Sequence, residues 1–258
     1  MCELFGVCAR KPFVINDYLK EFYSHCDMHP DGWGLAVMHE DVALIEKEPI
    51  RADRSHYLRE RLTVPIDVRV AFAHIRYATI GNLEYANCHP HFRVDNSGRK
   101  WTLIHNGTIF EYPALNRYFK LQRGTSDSER ILMHIISLMD EAGEGREKPL
   151  TFEERFAILD EMVGTMSRGN KLNLMLYDGE YVYVHTNCEE GGLHYRKNSG
   201  QIIISTQALE KEGWNVMPAN ILYAYKDGTR QKVGTDHGNT YVYDPEAMKV
   251  IFQTFSNL

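Results

Sequence analysis

Met1-Cys2-Glu3-Leu4-Phe5-Gly6-Val7-Cys8 is an apolar, strand-like run with a thiol at its head. Removal of Met1, which we expect, makes Cys2 the N-terminal residue and places a thiol and a free α-amine on one carbon framework. A thiol titrates near ~8.5 and an α-amine near ~7.7–8.0, so the amine can relay the proton that the thiol must lose. An N-terminal Thr nucleophile is activated by its own amine in the same way. The structural alternative is a Cys that lies in a first buried strand.

Outward from that strand, composition limits the function classes. The 258 residues, 43% of them hydrophobic, suffice for a substantial core in one large domain or two small ones. A net charge of −6 argues against a broad nucleic-acid footprint. No apolar run reaches the ~20 residues needed to cross a bilayer. Arg10, Lys11, Asp17 and Lys20 interrupt any secretory apolar segment. The cysteines at 2, 8, 26, 88 and 188 are odd in number and lack framework spacing, which fits reduced thiols. The expectation is a cytoplasmic protein with no membrane or nucleic-acid partner.

Along the chain, Asn16 is placed to cap a short helix over residues 17–23. His29-Pro30-Asp31-Gly32-Trp33-Gly34 starts as turn chemistry and leads into an apolar strand. It reads equally as a hairpin corner with a buried Trp or as backbone that approaches a ligand. Residues 53–62 suit a charged surface helix. The alternating run from Val68 delivers Arg76 and Thr79 to a strand end, and residues 81–91 form a loop. Trp101-Thr102-Leu103-Ile104-His105 reads as a strand that Asn106-Gly107 breaks. Ser126 with Glu129, and Thr151 with Glu154, give capping-box starts to two helices with apolar residues at helical spacing. From Lys171 the pattern is β, with Asp178-Gly179 as a hairpin signal and short strands at residues 201–205, 221–225 and 240–243. Strands, then two helices, then strands favour an α+β layered domain with antiparallel sheets.

Cysteine acyl transfer needs oxyanion donors and a device to hold the substrate in line. The Asn106 amide can donate two hydrogens, and Gly107 admits close backbone approach; the local alternative is a type I′ turn. Arg76 suits a bidentate grip on a carboxylate or a surface ion pair. Asp127, at the start of a helix, suits the helix dipole or a substrate ammonium. Arg76 and Asp127 together would recognise an amino-acid head group.

Cys2, His74-Ile75-Arg76-Tyr77-Ala78-Thr79, Asn87-Cys88-His89-Pro90-His91, His105-Asn106-Gly107 and Thr125-Ser126-Asp127-Ser128-Glu129 occur in this order. Together they resemble the class II glutamine amidotransferases, a family of N-terminal-nucleophile hydrolases. The resemblance covers residues 2 to about 136. It implies a four-layer αββα sandwich with two facing, mainly antiparallel sheets, as a single amidotransferase domain over 2–258. It also implies roles: Cys2 as nucleophile, its α-amine as base, Asn106 and Gly107 as oxyanion hole. Arg76, Thr79 and Asp127 would bind the glutamyl group. Selection of the leaving amine then falls to a pocket rim, for which Trp33, Gly34, Tyr77 and His105 are the candidates beside the 81–91 loop. No cofactor and no metal are implied.

Two departures bear on the substrate. Ile80 stands where members fused to a sugar-phosphate synthase have His, and the domain nearly consumes the chain, so the sequence looks most like stand-alone members. The expected substrate is glutamine or another γ-glutamyl amide, with an ammonia-accepting partner enzyme as a further expectation. Two rivals stand beside this: a non-catalytic glutamine-binding regulatory subunit, and a metal-dependent hydrolase using His89 and His91 with His74 or Cys88.

Overall fold

Alternate residues along a strand face opposite sides of a sheet. The computed structural model describes residues 2–39, 42–78, 82–188 and 190–243, and most of its strands are buried on both sides. The strands are Glu3–Val14 (β1), Trp33–Met38 (β2), Ala43–Glu48 (β3), Asp67–Ile75 (β4), His91–Val94 (β5), Lys100–Thr108 (β6) and Lys171–Tyr177 (β7). Val182–Thr186 (β8), His194–Asn198 (β9), Gln201–Ser205 (β10), Asn215–Val216 (β11), Ile221–Lys226 (β12) and Thr229–Val233 (β13) follow. The helices are Asn16–Ser24 (α1), His56–Arg61 (α2), Asp127–Gly143 (α3) and Phe152–Met166 (α4). One sheet runs β11-β9-β10-β1-β4-β2-β3 and the other β13-β12-β8-β7-β6-β5, with antiparallel pairing throughout both.

Three apolar layers hold this together, and period-two alternation sorts residues among them. Phe5 and Val7 of β1 and Ala71, Ala73 and Ile75 of β4 pack with α1 and α2. Leu4, Cys8, Phe72, Ile104, Met175, Val182, Val184, Tyr223 and Tyr225 fill the space between the sheets. Leu103, Leu172, Leu174, Leu176, Tyr183 and Leu222 meet α3 and α4. The architecture is therefore the expected αββα sandwich.

Several local expectations are corrected. Asn106 and Gly107 do not break the strand: β6 continues through them, opposite Asn173 and Leu172 of β7. Asn16 does not cap α1. Its amide donates to the Leu62 and Val64 carbonyls, and its oxygen accepts from the Ile66 N–H, tying α1 to the β4 approach. Thr151 and Glu154 form a full capping box, whereas Ser126 caps α3 alone because Glu129 turns to the Arg123 and Gly124 amides. The run at 240–243 contributes one isolated bridge, Tyr241 with Cys188. The expected domain end at 258 and the processing of Met1 lie outside the described residues.

Asp178 explains why the β7–β8 hairpin closes over four residues and not the two of an Asp-Gly turn. Its fully buried carboxylate accepts from the Glu180 and Tyr181 amides, the Tyr183 hydroxyl (2.8 Å) and Arg155 Nε of α4 (2.8 Å). Asp178→Ala leaves Arg155 buried beside no carboxylate of comparable burial. The expected loss is roughly 3–5 kcal/mol, read as a lowered urea midpoint; a loss below about 1 kcal/mol would show the guanidinium reaching solvent.

Candidate active site

β1 and β4 pair with Glu3 opposite Ile75 and Leu4 opposite His74, so the residue before β1 meets the residues after β4. Cys2 Sγ lies 3.4 Å from both the carbonyl oxygen and the amide nitrogen of Tyr77. Leu4 and Phe72 face the inter-sheet layer, and alternation puts Cys2, His74 and Arg76 on that same side. On the opposing sheet, Ile104 and Met175 face inward, and Asn106, Asn173 and Lys171 follow in step. Lys171 links the two sides. A Cβ on Gly107 would overlap its carbonyl, while its ammonium acts on the Cys2 thiol. Burial pushes the Cys2 thiol up, and the Tyr77 backbone, Arg76 and Lys171 pull it down. Lys171 was not singled out in the sequence; a lone Lys at a strand start carries no pattern.

Arg76 is buried and donates to the Asn82 carbonyl (3.0 Å). Its backbone is clasped by the turn before β2: its N–H donates to Gly32 O, its carbonyl accepts from Asp31 N–H, and the Asp31 carboxylate accepts from Ala78 N–H (2.7 Å). Asn87 does similar work for the loop before α3. Its amide donates to Asn82 O and Thr125 Oγ1, and its oxygen accepts from the Thr125 and Ser126 amides. Asp31 and Asn87 thus orient the two sides of the expected head-group clamp, roles that local motifs do not reveal.

Asp127 opens α3, buried, with one carboxylate oxygen accepting from Ile109 N–H (2.9 Å). The chain from Asn106 to Ile109 therefore joins the Asn-Gly pair to the acid. The Asn106 side chain is buried and has no hydrogen-bond partner among the described residues. Thr79 lies outside the described residues.

The expected rim is partly corrected. Tyr77 is 41% exposed and borders Cys2. Trp33 is 1% exposed: it packs in the core under α1, stacks on Tyr57 and donates to Glu48 Oε2 (3.0 Å). Gly34 is a point of close approach, since a Cβ there would overlap the His89 carbonyl. His105 is buried against α3, with Nδ1 3.0 Å from Ser128 Oγ.

His74, His89 and His91 lie in a buried row, with ring centroids 4.1 Å apart in a tilted pair and 4.7 Å apart in an edge-to-face pair. Their nitrogens do not converge. Among the described residues, the trio of candidate metal ligands within 4.8 Å of one another is Cys26, Asp27 and Asp53, where both aspartates already pair with Arg51. Lys47 Nζ crosses from β3 to the Cys88 carbonyl (2.6 Å) and the Pro90 carbonyl (3.1 Å), fastening this loop; burial brings Lys47 down to about 8.

Burial holds all three imidazoles well below the ordinary 6.5, with Arg76, His74 and Lys47 adding to the shift at His74, His89 and His91 respectively. Below 6.5 the unfolded chain therefore binds more protons than the folded one. The stability that depends on neutral imidazoles is full above that value and falls as pH drops, by roughly 1.4 kcal/mol per pH unit for each histidine that stays neutral. Urea midpoints measured from about pH 7 to about pH 5 should fall, and His91→Gln should flatten the slope by one proton. Identical slopes in the two proteins would contradict this.

Residues 1–197 match the family described as Glutamine amidotransferases class-II. An uncharacterized protein of Methanocaldococcus jannaschii is 27% identical over 256 residues, covering 88% of this chain and 70% of that protein. The isomerizing glutamine–fructose-6-phosphate aminotransferase of Chlorobaculum tepidum is 29% identical over 143 residues, 53% of this chain and 22% of that enzyme. In fold, the chain is similar to the glutamine phosphoribosylpyrophosphate amidotransferase of Bacillus subtilis. The TM-score is 0.63 at 15% identity, over 89% of this chain and 48% of that one. The chain thus spans less than half the length of each of these two enzymes. The family match extends over more than half of the chain, which belongs to the class-II glutamine amidotransferases.

Proposed function

We propose that this protein is a single domain over residues 2–258, with Met1 removed, that hydrolyses the γ-carboxamide of glutamine or of another γ-glutamyl amide. The observation that carries this reading is the meeting of Cys2 with the Arg76–Tyr77 strand end, opposite Asn106 and Lys171 of the facing sheet. Arg76 grips the substrate carboxylate and Asp127 accepts from its ammonium, leaving the γ-amide carbon in front of Sγ. The thiol proton passes to the Cys2 α-amine as sulphur attacks, a transfer that matters because burial disfavours the free thiolate. The oxyanion is held by the Asn106 amide and the Gly107 N–H. The α-ammonium then protonates the leaving nitrogen, the C–N bond breaks, and a γ-glutamyl thioester remains. Water, deprotonated by the same amine, cleaves the thioester to give glutamate.

The clamp touches only the glutamyl half, so ammonia or a larger amine can leave, and an ammonia-consuming partner enzyme is compatible with this chemistry. The absence of a converging ligand set among His74, His89 and His91 favours the thiol mechanism over the metal-dependent rival.

The test is a screen of glutamine and γ-glutamyl amides with Met-free protein, following glutamate. Cys2→Ala should abolish turnover, and Asn106→Ala should lower kcat by about 10²–10³ with the fold intact. Undiminished glutamate release by Cys2→Ala would refute the mechanism. Tight glutamine binding without turnover in Met-free wild-type protein would favour the regulatory reading.

A further inference from the structure

At the sheet edges remote from Cys2, β9 and β10 of one sheet face β12 and β13 of the other. Tyr195 and Lys197, two apart on β9, share a face, as do Tyr223 and Tyr225 on β12; Ile202 lies opposite Lys197 and Arg230 opposite Tyr225. These side chains line a cleft of about 280 Å³, just below the roughly 300–1,000 Å³ typical of ligand pockets. Its floor, formed by Ile202, Met217 and the tyrosine rings, belongs to the apolar layer between the sheets.

The wall is chemically one-sided. Among the described residues no acidic side chain lines it, in a chain whose net charge is −6. The hydroxyls of Tyr195, Tyr223 and Tyr225 have no hydrogen-bond partner among the described residues, and neither Lys197 nor Arg230 is in an ion pair there. Arg230 sits 5.9 Å from the Tyr223 ring centre, and burial keeps the Tyr223 and Tyr225 hydroxyls protonated and able to donate. Apart from Tyr195 and Lys197, the lining residues lie beyond the segment that matches the family.

We propose that this cleft binds a small monoanion, a carboxylate or its equivalent, carried on a flat apolar ring, at a site separate from Cys2. The ring lies against Ile202, Met217 and the tyrosine faces, and the anion sits at the mouth between Arg230 and Lys197 with tyrosine hydroxyls donating to it.

Calorimetric titration of the full chain with indole-3-acetate, against neutral indole-3-acetamide, tests this. One anion per chain should bind, with the amide about tenfold weaker, as expected for loss of one charge-assisted contact. Arg230 is exposed on an edge strand, so Arg230→Met should keep the melting temperature and weaken the anion about tenfold; Lys197→Met and Tyr225→Phe should weaken it to a lesser extent. Cys2→Ala should bind like wild type. Absence of saturable binding, equal affinity for the two probes, unchanged affinity in Arg230→Met, or loss of binding in Cys2→Ala would each overturn the proposal.

Discussion

The antiparallel pairing of β1 with β4 is the constraint on which the rest depends. A ladder with Leu4 opposite His74 leaves no freedom in where the chain start lies: it must meet Arg76 and Tyr77. Because side chains alternate with period two, a slip of β1 by one residue would turn Cys2 and Leu4 from the inter-sheet space to the helical side. Burial of Leu4 and Phe72 between the sheets, and of Phe5 and Ala73 beneath α1, resists that slip with apolar area on both faces. The candidate chemistry thus inherits its geometry from core packing.

Polar burial finishes what the sheets begin. Asp31, Asn87, Asp127 and Lys47 each satisfy backbone groups in turns that regular ladders cannot reach. An unpaired buried amide or carbonyl costs about 1–3 kcal/mol, so these side chains hold their loops in one arrangement. The histidine row behind them is held by ring contacts and neutrality, since several of its buried ring nitrogens have no hydrogen-bond partner among the described residues.

Legibility followed the range of the interaction. The helix starts at Ser126 and Thr151 were visible because capping acts across three residues, and the alternating run of β4 and the short apolar runs of β1, β10 and β12 were visible because both patterns are local. Asn106-Gly107 misled because a dipeptide with strong turn propensity was carried through a strand by pairing with Asn173 and Leu172. At Trp33 the local sequence left two readings equal, a buried ring at a hairpin corner and a rim beside close backbone approach, and packing of the large ring beneath α1 bears out the first.

By itself, the sequence determined which residue types were available to a thiol chemistry and which segments had strand or helix periodicity, because those are properties of neighbours along the chain. Only the tertiary structure decided that Cys2 and Arg76 lie on the inner side of one sheet and Asn106 and Lys171 on the inner side of the other. Their separations of up to 169 positions are spanned by sheet register and by the stacking of two sheets. These arise when distant apolar faces exclude water together, and no local pattern records them.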